Sequence, residues 1–261
     1  MDLRLEGRSA VVTGASKGIG LAITRALAGE GASVTAGALR GSAELDELTT
    51  SEEVRAVTVD LTTTEGPGEL VAAAAAAHGG VDILVNNVGA VRPRLEGFLA
   101  LTDDDWDWAL TINFLAAVRT MRAAIPHMSG RTGASIVTIS SVNAFLPDPG
   151  VIDYGAAKGA LTNLCKSLSK ELGPDIRVNT ISPGPVQTDL WLGSGGVAAT
   201  VGGATGADPG DVVRRQEAEA ATGRFTTPDE IADLALFLAS DRAANTTGSD
   251  FVIDGGLVTT L

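Results

Sequence analysis

Short apolar runs rich in β-branched residues recur along this chain, and stretches with helical spacing separate them. Ser9–Thr13, Ala32–Ala36, Val54–Val59, Val81–Val85, Ile136–Ser140, Arg177–Ile181 and Ser249–Ile253 read as strands. Gly18–Gly29 reads as a helix with Ile19, Ala22, Ile23, Ala26 and Leu27 along one face. Further helices are predicted over Ala43–Thr50, over Glu69–Ala77, from Asp103 to about Met128, from Tyr154 to about Leu172, and over Pro228–Ala239. The alanine run 72–77 has the best helix propensity available. Asp103–Asp105 suit the positive end of a helix dipole, and Gly173-Pro174 stops the helix before it. Alternating strands and helices predict an α/β fold, a doubly wound parallel sheet of about seven strands with helices on both faces. No composition shift or linker divides residues 1–261, so one domain is expected. The exception is Gly193–Gly210, with seven glycines and no periodicity. It follows the sixth strand, where ligands of such sheets bind. The segment at about 189–219 therefore reads as a substrate lid or as a plain surface loop.

Partners are bounded by charge. Nineteen basic residues face 32 acidic ones, a net charge of −13, which opposes nucleic acid and anionic membranes. Cys165 is the single cysteine and cannot form an internal disulfide, as fits a reducing cytoplasm. The N-terminus carries no secretion-signal pattern, and the most apolar stretch, Val71–Ala77, is far too short to span a bilayer. A cytoplasmic protein is expected.

Chemistry concentrates in Ser140–Lys158, SSVNAFLPDPGVIDYGAAK. Tyr154 and Lys158 are four residues apart and share a helix face. Ser141 leaves the strand that precedes them. A serine, a phenol and an ammonium converging there suit proton transfer to a carbonyl oxygen. Earlier, Thr13–Gly20 (TGASKGIG) joins a strand to a helix N-terminus, where glycines let backbone N–H groups approach a pyrophosphate. Its G-x-x-x-G-x-G spacing differs from the common dinucleotide fingerprint. Asp60 and Asn86-Asn87-Val88-Gly89 end the third and fourth strands, at the same carboxyl edge. A carboxylate at 60 suits an adenine amino group, and the Asn-Asn turn suits backbone passing a ribose.

TGASKGIG (13–20), Asp60 and Leu61 of VDL, NNVG (86–89), Asn113 in TINF, Ser141, YGAAK (154–158), PGPVQTD (183–189) and DGG (254–256) occur in this order. Over about Leu5 to Gly256 the chain resembles the short-chain dehydrogenase/reductase family. The resemblance implies a Rossmann-type fold and an NAD(P)(H)-dependent oxidoreductase that interconverts a ketone and a secondary alcohol by hydride transfer. It implies Tyr154 as general acid or base, its phenol lowered from about 10 by Lys158. Lys158 would also hold the nicotinamide ribose, Ser141 the substrate carbonyl, and Asn113 a relay water. The cofactor residues it implies are Gly14, Ser16, Lys17, Gly18, Ile19, Gly20, Arg40, Asp60, Leu61, Asn87, Val88, Gly89, Pro183, Gly184, Val186 and Thr188, besides Tyr154 and Lys158. Val88 departs from the alanine usual in the family.

Ala38 stands where NAD-preferring relatives carry an aspartate for the ribose 2′-hydroxyl, and Lys17 and Arg40 are placed to meet a 2′-phosphate, so NADP(H) is favoured over NAD(H). Substrate-facing candidates are Ser141, Asn143, Phe145, Leu146, Tyr154, Trp191 and Leu192, a mostly apolar set suited to a small-molecule ketone. Trp191 reads equally well as an anchor between lid and core. Reduction of 3-oxoacyl groups on an acyl carrier protein is the alternative. Arg131 could help dock that acidic carrier, but Asp175 and the net charge oppose it. The length argues against a sugar epimerase. A catalytically silent, cofactor-sensing regulator would be expected to lose the tyrosine or lysine, and both are present. The resemblance also implies a homotetramer or homodimer through the helices at about 104–128 and 152–172.

Overall fold

The computed structural model of the chain describes residues 1–260. Seven strands, β1 (Ser9–Thr13), β2 (Ser33–Ala38), β3 (Val54–Thr58), β4 (Ile83–Asn86), β5 (Ala134–Ile139), β6 (Ile176–Pro183) and β7 (Asp250–Ile253), form one sheet in the order β3-β2-β1-β4-β5-β6-β7. Every pairing is parallel. Val11 pairs with Thr35 on one side and Leu84 on the other, so β1 and β4 flank the point where strand order reverses. β1, β4, β5 and β6 are buried along their whole length, as central strands covered on both faces must be.

The helices are α1 (Gly18–Gly29), α2 (Ala43–Leu48), α3 (Gly66–His78), α4 (Asp103–Leu110), α5 (Ala116–Met128), α6 (Ile152–Glu171), α7 (Asp189–Leu192), α8 (Val197–Thr205), α9 (Pro209–Glu219) and α10 (Pro228–Ala239). One hydrophobic cluster packs α1 and α10 on the sheet through Ile23, Leu27, Ile231 and Leu238. A second packs α3, α5 and α6 on the opposite face through Leu70, Met121 and Leu161. Among the described residues no helix is long and apolar enough to cross a membrane.

Three elements differ from the sequence reading. α3 begins at Gly66 rather than Glu69, because proline is tolerated in a first helical turn. The helix expected from Asp103 to Met128 is interrupted by a π turn, Thr111–Leu115, which holds Asn113. The segment 189–219, read as lid or loop, folds into α7, α8 and α9. α9 starts on Asp208-Pro209, with the Asp208 carboxylate accepting the Gly210 N–H at 2.9 Å, and Ala198 and Gly202 are the buried side of α8. Helices this short and glycine-rich leave little periodicity to read.

Candidate active site

The carboxyl ends of β1, β4, β5 and β6 open into one cavity of about 1330 Å³. A crevice at the reversal of strand order is where open α/β sheets bind ligands. The glycine loop is fixed to the end of β4 by four hydrogen bonds. The Thr13 hydroxyl accepts the N–H of Asn87 at 2.8 Å and of Val88 at 3.1 Å. The Asn87 amide donates to the carbonyls of Thr13 at 3.0 Å and Gly14 at 3.1 Å. Lys17 caps α1 without any side-chain hydrogen bond, so the first-turn amides keep their donors for an anion. Gly18 has φ +55°, and a Cβ there would lie 3.1 Å from Thr188 Cγ2. The loop is therefore closely roofed by the segment after β6, and a pyrophosphate fits beneath it.

Ser141 follows β5 and is buried. Its hydroxyl accepts the Asn143 N–H at 3.2 Å and donates to Asn143 Oδ1 at 3.3 Å. Tyr154 lies half-buried in the cavity wall, in the first turn of α6. Lys158 is buried one turn later; its Nζ donates to the Ile139 carbonyl at 2.8 Å and lies 5.7 Å from the centre of the Tyr154 ring. At Gly89 a Cβ would come within 2.9 Å of Asn113 Oδ1 and 3.5 Å of Lys158 Nζ. Only glycine lets the end of β4 pass so close to the lysine. By contrast, Ser140 is turned to α6, its hydroxyl 2.7 Å from that of Thr162.

Two expectations are corrected by burial and hydrogen bonding. The Tyr154 phenol is raised above 10.0, not lowered: burial is the largest influence, and the Ser141 hydroxyl opposes it. Because the ring is partly open to the cavity, this push is weaker than full enclosure would give. Burial also brings Lys158 down to about 8. The Asn113 side chain, expected to fix a relay water, is already engaged. Its Oδ1 accepts the Ala90 N–H at 3.0 Å, and its Nδ2 donates to the carbonyls of Ala90 at 2.9 Å and Ala109 at 3.0 Å. It holds the backbone beside Gly89 instead.

Gly14, Ser16, Lys17, Gly18 and Ile19 line the cavity, as do Arg40 at the end of β2 and Asn87, Val88 and Gly89 at the end of β4. So do Pro183, Gly184, Val186 and Thr188 after β6, and Asn143, Leu146 and Trp191 on the substrate side. Trp191 meets Phe225 edge-on at 5.1 Å, so it both faces the cavity and anchors α7. Six expected residues lie outside the lining. Asn113 is one, as described. Gly20 sits under the loop, where a Cβ would lie 2.2 Å from the Gly14 carbonyl. Asp60 Oδ1 accepts the N–H and hydroxyl of its own loop's Thr62 at 2.9 and 2.7 Å, which hold its carboxyl below the usual value. Leu61 beside it is buried, while Phe145 and Leu192 are exposed.

The fold and this constellation have counterparts among known proteins. A family model described as Enoyl-(Acyl carrier protein) reductase matches residues 14–258. The 3-oxoacyl-[acyl-carrier-protein] reductase FabG of Thermotoga maritima is 33% identical over 98% of this chain and 100% of its own. Dehydrogenase/reductase SDR family member 4 of Sus scrofa is 34% identical over 98% of this chain and 89% of its own. The chain is a short-chain dehydrogenase/reductase. The L-sorbose reductase of Gluconobacter frateurii, solved with NADPH and L-sorbose, superposes with a TM-score of 0.90 at 34% identity over the whole of both chains. As a short-chain dehydrogenase/reductase the protein is an NAD(P)-dependent oxidoreductase interconverting a ketone and a secondary alcohol.

The cavity of this short-chain dehydrogenase/reductase also contains residues that sequence reasoning missed. Arg25 lines it together with Leu21, four residues earlier on α1, and that spacing was the one signal available. Gln187, Gln216 and Glu219 join from the segment after β6 and from α9; no motif marks them. Arg131, considered for carrier docking, is paired with Asp82 at 2.6 Å at the amino-terminal edge of the sheet, away from the catalytic end. That reading of Arg131 is corrected.

Proposed function

We propose that this enzyme reduces a small, uncharged ketone with NADP(H), Tyr154 acting as the general acid. The observation that carries the reading is the meeting of Ser141, Tyr154 and Lys158 in the wall of the cavity that also receives the glycine loop. The phenol gives its proton to the carbonyl oxygen, and in the reverse direction takes it back. The Ser141 hydroxyl exchanges its bond to Asn143 for one to that oxygen. The Lys158 ammonium favours the phenolate and retains N–H groups for a ribose hydroxyl beyond its bond to Ile139. Asn113 keeps the Gly89–Ala90 backbone in place beside the lysine. Val186 and Thr188 hold the carboxamide edge of a nicotinamide, which supplies or accepts the hydride when bound.

Preference for NADP(H) is supported by Lys17, Arg25 and Arg40 on the lining, with Ala38 offering no carboxylate against a 2′-phosphate. Lys17 Nζ is 3.7 Å from Asp189, an exposed pair that a phosphate can displace. Lys158 is the other cation of the lining, so an acidic tail on the substrate meets no charge partner on the substrate side. This, with Arg131 already paired, places a free ketone ahead of one carried on an acidic protein. The segment 189–219 serves as the substrate lid. Exposed Phe237 and Val252, on α10 and β7, support assembly as a homotetramer or homodimer in the cytoplasm.

Initial rates with NADPH and NADH over a panel of free ketones and one carrier-bound 3-oxoacyl substrate test the reading. NADPH and free ketones are expected to win, with the NADPH advantage falling in Lys17→Ala and Arg40→Ala. Equal rates with both cofactors overturn the preference, and faster turnover of the carrier-bound substrate favours the alternative.

A further inference from the structure

The loop after β4 carries a cation that the reaction as described does not use. The Arg94 side chain is only 11% exposed and is flanked by two carboxylates, Asp153 at 1% and Asp105 at 26%. Arg94 Nε donates to Asp153 Oδ2 at 3.0 Å, and Nη2 donates to the same oxygen. Nη1 donates to Asp105 Oδ1 at 2.8 Å. The remaining oxygen of each carboxylate is committed. Asp105 Oδ2 accepts the Thr102 N–H at 3.0 Å and closes the cap of α4. Asp153 Oδ1 accepts the backbone N–H of Tyr154 at 2.9 Å. Val151 caps α6 without a side-chain bond, so Asp153 is the side chain that fixes the first turn carrying the phenol.

We propose that Arg94 is a positioning residue for proton transfer, holding Tyr154 in place through Asp153. The inference rests on Tyr154 being the general acid. A carboxylate this deeply buried needs a charged partner to stay fixed. Asp153 has one in Arg94, which is itself tied to α4. The chain of contacts runs from the α4 cap through the guanidinium to the peptide of the catalytic tyrosine. Separately, the Arg94 backbone N–H donates to the Gly150 carbonyl at 2.7 Å. That bond survives any side-chain replacement and holds the substrate wall at Pro147–Val151. Loss of the guanidinium is therefore expected to act on the chemical step more than on either binding step.

The experiment compares Arg94→Met, Arg94→Lys and Asp153→Asn with the parent and with Tyr154→Phe, measuring kcat and KM for the fastest ketone and NADPH affinity by fluorescence. Misplacing a reacting group by about 1 Å can cost about 100-fold. A fall in kcat of roughly 10- to 100-fold is expected in Arg94→Met and Asp153→Asn, with NADPH affinity and ketone KM little changed. Arg94→Lys, which can reach one carboxylate but not both, is expected to recover part of kcat; it carries the test alone if Arg94→Met does not fold. Parental kcat in the Arg94 variants, or parallel loss of kcat and NADPH affinity, overturns the positioning role. Parental turnover in Tyr154→Phe instead overturns the assignment of the acid, whatever Arg94 does.

Discussion

The two walls of the cavity are built differently. On the cofactor side, the ends of β1 and β4 are joined by reciprocal bonds between Thr13 and Asn87. Ser42 adds the end of β2 by donating to the Ser16 carbonyl at 2.6 Å. Each of these links crosses between strands whose register is already set by the buried sheet. On the substrate side, α7, α8 and α9 are joined mainly to themselves, and Leu190 and Leu192 are exposed. The first wall is a fixed surface that meets an invariant ligand. The second is a short helical insert whose shape is free to follow the substrate. Reaction class is thus held by the rigid wall, and substrate choice by the adaptable one.

The largest expected effect lies where the walls meet. Tyr154→Phe should reduce ketone turnover by roughly 10²- to 10⁴-fold and leave NADPH binding intact, measured by steady-state rates and fluorescence titration. Next, Asn87→Ala should lower stability by about 1–3 kcal/mol, because it leaves the Thr13 and Gly14 carbonyls unpaired. Leu192→Ala on the opposite wall should change it by no more than about 0.5 kcal/mol. Urea midpoints for the pair decide whether the walls differ as described; equal losses would remove the distinction.

A third test uses Lys158, whose ammonium is disfavoured by burial and titrates at about 8 instead of 10.5. A depressed folded-state value means the contribution to stability is complete above 10.5 and lost as pH falls through about 8. Lys158→Met should therefore be more stable than the parent below pH about 8, with the difference closing as pH rises toward 10.5. Urea midpoints across that range check the sign. The smallest effect concerns Trp191→Ala. Its ring contributes about 1.5 kcal/mol of apolar contact, so ketone KM should rise about tenfold while NADPH affinity stays constant. A fall in NADPH affinity would show that α7 belongs to the rigid wall.

The same contrast decides what was legible in the sequence. β1, β4, β5 and the face of α1 could be read because burial demands apolar periodicity. The glycine loop and the Tyr154–Lys158 spacing could be read because an invariant ligand demands fixed geometry. Arg25 was not legible, since a cation on an exposed helix face resembles any solvated one. Nor were α8 and α9, whose few turns pack mostly on each other. Asn113 was legible as a site residue, but not its use, because an amide's partners depend on backbone the sequence does not display. The direction of the Tyr154 shift was missed because spacing reveals a neighbouring charge and not the water excluded around it.

The π turn Thr111–Leu115 has one more consequence, and it concerns which changes of length the gene can tolerate. Each helical residue turns the chain by about 100°. Removing a residue there to restore an unbroken α-helix would rotate everything after it by that angle. Met121, Ala124 and Met128 would leave the sheet and Arg122 would swing toward it. The extra residue is locked in by the packing that follows it. Substitutions can still tune Asn113, but a single deletion cannot reverse the step that put it there.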